Sequence, residues 1–240
     1  MKRLLLLLLV VVCLLGKVAL EILSISIPHP SELPWGKRFQ QKAIQGVLGG
    51  FRGVIADLSW LNVTLDWESR QWVRLQENIW VSTRIQPESL LFWDVGAWHL
   101  AWNAALGEKN DVMELSSERR RQKEEFWVEQ GRLLLEEGIL YHPTSFKLWL
   151  QLGWLHQQRR HDYQSAYDCF LKASTLPGAP SYVARLAGYA LEKQGKMPEA
   201  IEFWHHLLET STRPADRDMI EKRLLKLEKD STLPPLKSLP

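Results

Sequence analysis

Between residues 149 and 209 the apolar positions recur every three or four residues and fall into two successive sets. Because such spacing places residues on one face of a helix, each set predicts a pair of amphipathic helices. Pro177-Gly178-Ala179-Pro180 lies between the sets and is typical of a turn. The pattern therefore predicts helical hairpins at residues 145–176 and 181–209. The first set is Trp149, Leu152, Gly153, Ala166, Phe170 and Ala173, and the second is Gly188, Gly195, Ala200, Trp204 and Leu207.

Upstream of these hairpins a proline-to-tryptophan spacing recurs. Trp93 follows Pro87 by six residues, and Trp149 follows Pro143 by six. The coincidence indicates that each proline closes one repeat and each tryptophan opens the next. The segments predicted on this basis are a divergent first repeat at 60–85, second-repeat helices at 88–106 and 118–140, and an exposed insertion between those helices at 107–117. In the second repeat, Gly131 and Gly138 occupy the small positions and Leu135 replaces the aromatic residue.

Helices are also predicted at the two ends of this region. A helical pattern begins at Phe39, but Gly49-Gly50 predicts a break before a longer helix that starts near Phe51. After the last hairpin, Thr212 and Pro214 are typical of a helix start, and the helix is predicted to continue to about Lys229. Its charged outer face suits a helix that ends an array of repeats.

The spacing in the second set resembles the tetratricopeptide repeat, a helical hairpin of about 34 residues. The first set matches it with one extra residue, which we assign to the loop near Arg160. The resemblance implies an all-α fold, a right-handed α-solenoid of about four hairpins with a C-terminal capping helix and an N-terminal hydrophobic helix. The predicted repeat domain spans residues 39–229, and the proline-containing tail at 230–240 is predicted to be disordered.

The start of the sequence is a separate, strongly apolar segment. Met1-Lys2-Arg3 precedes an uninterrupted apolar run from Leu4 to Leu15, and further apolar residues extend the run toward residue 27. An uncleaved membrane anchor, a cleaved signal peptide and a buried soluble helix all remain open. We expect residues 1–27 to be the anchor or signal and 28–38 a Pro-rich spacer. Positive charge before the apolar run predicts that the remainder is membrane-anchored and extracytoplasmic, that is, periplasmic.

Gly50-Phe51-Arg52-Gly53, Ala56-Asp57-Leu58-Ser59-Trp60 and Ala101-Trp102-Asn103 are similar to segments of membrane-anchored bacterial repeat proteins of largely unassigned function. Tetratricopeptide repeats are typically protein–protein adaptors. The resemblance implies a membrane-tethered scaffold that binds a protein or peptide on its concave face. The partner-binding residues it implies are Asp94, Trp98, Trp102, Lys147, Trp154, Gln157, Gln158, Arg185, Tyr189, Glu192 and Lys193. The alternative is a structural subunit of a membrane-associated or self-assembling complex.

Composition and motifs argue against other classes of function. The 30 Lys and Arg residues are interspersed with 28 Asp and Glu residues, so no clustered basic face for nucleic acid is predicted. The seven histidines and two cysteines lack metal-ligand spacing, and the glycine-rich stretch at 46–53 lacks the features of a phosphate loop. We therefore predict no catalytic residues, no metal and no cofactor. The sequence leaves the oligomeric state open.

Overall fold

The computed structural model describes the backbone of residues 35–109 and 116–232, and the side chains of residues 51–108 and 116–229. These residues form helices joined by short connections, and no strand occurs among them, which confirms the all-α prediction. The helices are α1 (Trp35–Glu68), α2 (Trp72–Ile85), α3 (Leu90–Trp98), α4 (Ala105–Lys109), α5 (Ser117–Tyr141), α6 (Phe146–Leu155), α7 (Tyr163–Ser174), α8 (Tyr182–Lys193), α9 (Met197–Thr210) and α10 (Pro214–Thr232). Two π-helical turns, His99–Ala104 and His156–Arg160, follow α3 and α6.

The first helix differs from the prediction. α1 continues without a break through Gly49-Gly50, so the predicted interruption there is wrong. Glycine costs a helix roughly 1 kcal/mol but keeps its backbone N–H donor, so a long helix can tolerate it. The chain divides into two compact units, residues 1–50 and 51–240, and all the described side chains belong to the second. The anchor predicted at 1–27, the first part of the spacer and most of the tail lie outside the described residues.

Successive helices pair as hairpins. α3 and α4 pack against α5, α6 packs against α7, and α8 packs against α9. The hairpins contact one another through α5 with α6 and α7 with α8, and α10 packs on α9. These boundaries follow the predicted hairpins closely. The Pro87 carbonyl lies between α2 and α3 and accepts a hydrogen bond of 2.8 Å from Trp93 Nε1, which accounts for one instance of the proline-to-tryptophan spacing.

Glycines allow the helices of each hairpin to approach closely. A Cβ added to Gly153 would lie 2.5 Å from the Phe170 ring, and one added to Gly188 would lie 2.7 Å from the Trp204 ring. Both rings are fully buried. In the second repeat the arrangement is reversed: Gly138 lies on the second helix of the hairpin, α5, and contacts the Trp93 ring on α3. The small residues and aromatics of the sequence pattern thus form the contacts that a tetratricopeptide-like hairpin requires.

The extra residue of the third hairpin is accommodated differently from the prediction. It lies in the π-helical turn His156–Arg160 that widens the end of the first helix, while the loop itself contains only His161 and Asp162. A π turn absorbs one inserted residue without ending the helix. His161 leaves the turn in the left-handed region, at φ 53°.

None of the helices in the described ranges 35–109 and 116–232 is both long enough and apolar enough to span a bilayer.

The glycine contacts generate a stability prediction. Gly153→Ala should lower the free energy of unfolding by about 1–3 kcal/mol, because the added methyl group overpacks against the buried Phe170 ring. Gly53→Ala is the matched control. No heavy atom lies within 4 Å of a Cβ at Gly53, so this variant should gain up to roughly 1 kcal/mol. Denaturant unfolding of the full chain, followed by circular dichroism, measures both. Equal effects from the two variants would contradict the packing argument.

Candidate partner-binding surface

The residues predicted to contact a partner lie on the first helices of three hairpins, α3, α6 and α8, or in the π turns that follow α3 and α6. Their exposure divides them into two groups. Trp98, Lys147, Gln158 and Lys193 are exposed, whereas Asp94, Trp102, Trp154, Gln157, Arg185, Tyr189 and Glu192 are partly buried.

Asp94 joins the second and third hairpins. Its carboxylate lies near Lys147 and Gln151, which belong to the neighbouring helix α6. Burial raises the pKa of Asp94 above its usual range, although the Gln151 side chain and the Lys147 charge oppose that shift. Among the described residues, no group donates a hydrogen bond to the buried Oδ1. The Gln151 side chain hydrogen-bonds with this carboxylate, so Oδ1 is the oxygen that lacks a donor at the junction of the two repeats. The sequence prediction had missed Gln151.

The two tryptophans near Asp94 have different environments. Trp98 is 41% exposed, and its ring lies edge-on to His99 with centroids 5.3 Å apart. Trp102 packs against the main core cluster, which includes Leu100 and Leu135. The ring of Trp98 is thus exposed to solvent, whereas much of Trp102 packs in the core.

Two of the predicted partner-binding residues on the third hairpin, Trp154 and Gln157, are partly buried. Trp154 lies edge-on to Phe170 at 5.3 Å between ring centroids, so one side of its ring belongs to the core. Gln157 Oε1 is buried and receives no hydrogen bond from the described residues, while Gln158 is exposed. Both glutamines lie in the second π turn, whose wider backbone changes the direction of its side chains.

At the fourth hairpin, contacts with α10 occupy the predicted residues. Arg185 Nη1 donates to Asp216 Oδ1 at 2.7 Å. Glu192 accepts from Trp204 Nε1 at 2.9 Å and from Arg223 Nε at 3.0 Å. The Arg223 guanidinium lies over the ring of Tyr189, 5.1 Å from its centroid. Arg185, Tyr189 and Glu192 were predicted to line the partner surface. In the structure these three side chains hold the capping helix instead.

A polar cleft of about 540 Å³ lies between α5 and the second π turn and was not predicted. Two ion pairs cross it, Arg159 with Glu124 at 2.9 Å and Arg160 with Glu129 at 2.7 Å. The hydrogen bond from Arg132, aided by Arg160, lowers the pKa of Glu129 to about 2. The charges of this cleft are thus matched within the chain. Sequence periodicity gave no signal for it, because its pairs join residues 31 and 35 positions apart.

The described residues offer no metal site and no activated thiol. No three His, Cys, Asp or Glu side chains among them are grouped to hold a metal ion. The buried thiol of Cys169 has its pKa raised to about 12, chiefly by burial, which leaves it protonated and unreactive at neutral pH.

Comparisons with known proteins add little to this picture. No protein-family model matches the chain, and no match was found among curated proteins. A solved structure from Thermus thermophilus, described as a thermophilic TPR protein, is similar at 17% sequence identity with a TM-score of 0.43. The similarity covers 72% of this chain and 80% of that chain. Since that likeness is weak, the tetratricopeptide-like fold of this chain rests on the helix pairing and the glycine–aromatic contacts.

The contacts of Glu192 predict that it stabilises the fold. Glu192→Gln should lower the free energy of unfolding by roughly 1–3 kcal/mol, because the Arg223 guanidinium loses its charged partner while one hydrogen bond to Trp204 can persist. The neighbouring Lys193→Gln is the control, since Lys193 is exposed. Chemical denaturation at neutral pH compares them. A larger loss from the Lys193 variant would contradict the structural role.

At Asp94, removing the charge is expected to raise stability, the opposite of the effect at Glu192. Its folded-state pKa lies above the unfolded value of 3.8, so its ionisation opposes folding. Asp94→Asn should therefore be more stable than the wild type at pH 7, by up to about 1 kcal/mol. The advantage should shrink as the pH falls through the folded-state pKa toward the unfolded one. Thermal unfolding between pH 3 and pH 7 measures the difference, with Asp57→Asn as the exposed control. A variant less stable at pH 7 would exclude this account.

Proposed function

We propose that the chain is a protein-binding scaffold that holds a peptide segment of another protein at the junction of the second and third hairpins, without catalysis. The observation that carries this proposal is the buried Asp94 Oδ1, which lacks a donor among the described residues and lies between helices that also carry Trp98 and Lys147. An unsatisfied buried acceptor costs stability, and a donor supplied by a partner would remove that cost.

The chemistry of this surface suggests the kind of segment that it binds. The exposed ring of Trp98 is an anchor for an aliphatic or aromatic side chain, and aromatic anchors carry much of the affinity of protein interfaces. Asp94 accepts a hydrogen bond from a backbone N–H or from a Lys or Arg side chain. Lys147 and Gln158 lie at the exposed margin and supply polar contacts. The preferred segment therefore combines an apolar side chain with a neighbouring donor.

Packed helices present this surface, which favours binding at low entropic cost. Trp154 is fixed by Phe170, and the hairpins are fixed by glycine–aromatic contacts. Because these side chains are ordered before binding, little conformational freedom is lost when a partner docks. We further propose that the repeats form a right-handed array of about four hairpins and that the apolar segment at 1–27 tethers it outside the cytoplasm. The composition of that segment supports the tether.

A displayed random-peptide library, panned on the full chain, tests the proposal. Enriched peptides should share an apolar residue next to a Lys or Arg. Their binding should fall about thirtyfold or more with Trp98→Ala, since an aromatic hot spot is worth at least about 2 kcal/mol. Asp94→Asn should also weaken binding, although it stabilises the fold.

The matched control is Leu140→Ala, because Leu140 is 81% exposed on α5 and lies outside the proposed surface. Circular dichroism confirms that each variant stays folded. Titration by fluorescence anisotropy gives the dissociation constants. Peptides that bind the Trp98 and Asp94 variants as tightly as the wild type would show that this surface is not the binding site.

A further inference from the structure

The second half of α1 has two apolar faces, and only one is packed. Ala56 and Val63 are fully buried, and Ser59 and Asp66 hydrogen-bond with Asn78 of α2 on the same side. The other face is open to solvent. Its apolar side chains are Phe51, Val54, Leu58, Leu61 and Leu65, each between 56% and 65% exposed.

These five residues follow a heptad repeat. Phe51, Leu58 and Leu65 lie seven apart, and Val54 and Leu61 each follow the preceding member by three. They therefore occupy the a and d positions, the seam through which helices pair in coiled coils. The residues that pack on α2 occupy b and f positions on the far side of the helix. α1 is thus attached to its own fold along one face and carries an unbroken pairing seam along the opposite face.

From this geometry we infer that α1 pairs with α1 of a second copy of the chain, in parallel, through the seam from Phe51 to Leu65. A two-fold pairing places the same patch on both chains, so the seam must complement itself. It does so, because every a and d position is apolar and none carries a charge that would repel its equivalent.

The residues beside the seam favour a protein partner over a lipid surface. The e and g positions are Ile55, Asp57, Asn62 and Thr64. Helices that lie on membranes carry Lys and Arg along the margins of their apolar face, and this seam has none. In a parallel pair, Asp57 at g lies near Asn62 at e of the partner, so no like charges meet.

The parallel direction pairs identical residues. In a parallel pair each a or d side chain packs against its own equivalent, so the two copies of Leu58 meet each other. Every layer of the seam from Phe51 to Leu65 is then apolar. The exposed seam supplies on the order of several hundred Å² of buried surface from each chain, which is near the lower limit for a specific interface. We therefore expect association at micromolar concentrations.

This inference does not depend on the proposed peptide-binding function, because its residues lie on α1 and not on α3 or α6. The test uses the full chain in detergent, with the protein mass measured by light scattering at several micromolar concentrations. The wild type should reach twice the chain mass. Leu58→Glu should raise the dimer dissociation constant about a hundredfold or more, because two buried leucines are lost and two like charges meet. Val73→Glu is the control: Val73 is 63% exposed on α2, outside the seam, and should not affect the mass.

Two further variants test the contact at Leu58 and the direction of pairing. Leu58→Lys should also be monomeric, and mixing it with the Leu58→Glu variant should restore a dimer through opposite charges at one a position. Leu65→Cys, in a chain with Cys13→Ser and Cys169→Ala, should form a disulfide between copies, since only a parallel pair brings residue 65 of both chains together.

Several outcomes would overturn the inference. A wild-type chain that stays monomeric would contradict it, because lipid or the chain's own leader would then cover the seam. A dimer that persists in Leu58→Glu would place the contact elsewhere. If Leu58→Cys cross-links in the same background but Leu65→Cys does not, the pairing is antiparallel and the stated geometry is wrong.

Discussion

The close approach of glycine and aromatic ring within each hairpin is the constraint on which the rest of this structure depends. At Gly153 and Gly188 one helix lacks a side chain, and the ring of Phe170 or Trp204 fills the space that a Cβ would need. The distance between the two helices is therefore set by a ring against a backbone, which cannot be compressed and cannot open without leaving a cavity. This rigidity extends to the surface, because Trp154 follows Gly153 directly and touches the same Phe170 ring.

The same aromatic contact determines where the array ends. Trp204 is buried by Gly188, and its indole nitrogen donates to Glu192, which also receives the Arg223 guanidinium from α10. The capping helix is thus attached through the aromatic residue of the last hairpin. Three side chains of the fourth hairpin, Arg185, Tyr189 and Glu192, therefore contact the capping helix. Asp94 Oδ1 and Gln157 Oε1 on the second and third hairpins are buried without a hydrogen-bond partner among the described residues, as is Asp216 Oδ2 of the capping helix.

Most of the helices could be predicted from sequence because periodicity, prolines and small residues act locally. What sequence reasoning missed depends on distant contacts or on small energy differences. Gly49-Gly50 lowers helix propensity, but propensity decides little within a helix of 34 residues. The inserted residue near Arg160 could lengthen either a loop or a helix, and periodicity does not separate the two. Arg185 and Glu192 occupy inward-facing repeat positions, yet they pair with Asp216 and Arg223, each 31 residues away. Such pairings follow only from the packed fold.

The two proposed surfaces differ in the elements that carry them. The Asp94 surface spans a junction between hairpins whose spacing is fixed, so it suits orientation of a single segment. The α1 seam belongs to one long helix attached along its other face, so its geometry is set by that helix alone. If two copies pair through α1, each brings its own Asp94 surface into one assembly. A partner with two binding segments then gains avidity from the second contact, which becomes intramolecular, without any change in either surface. Modest affinity at each site is then sufficient for stable attachment.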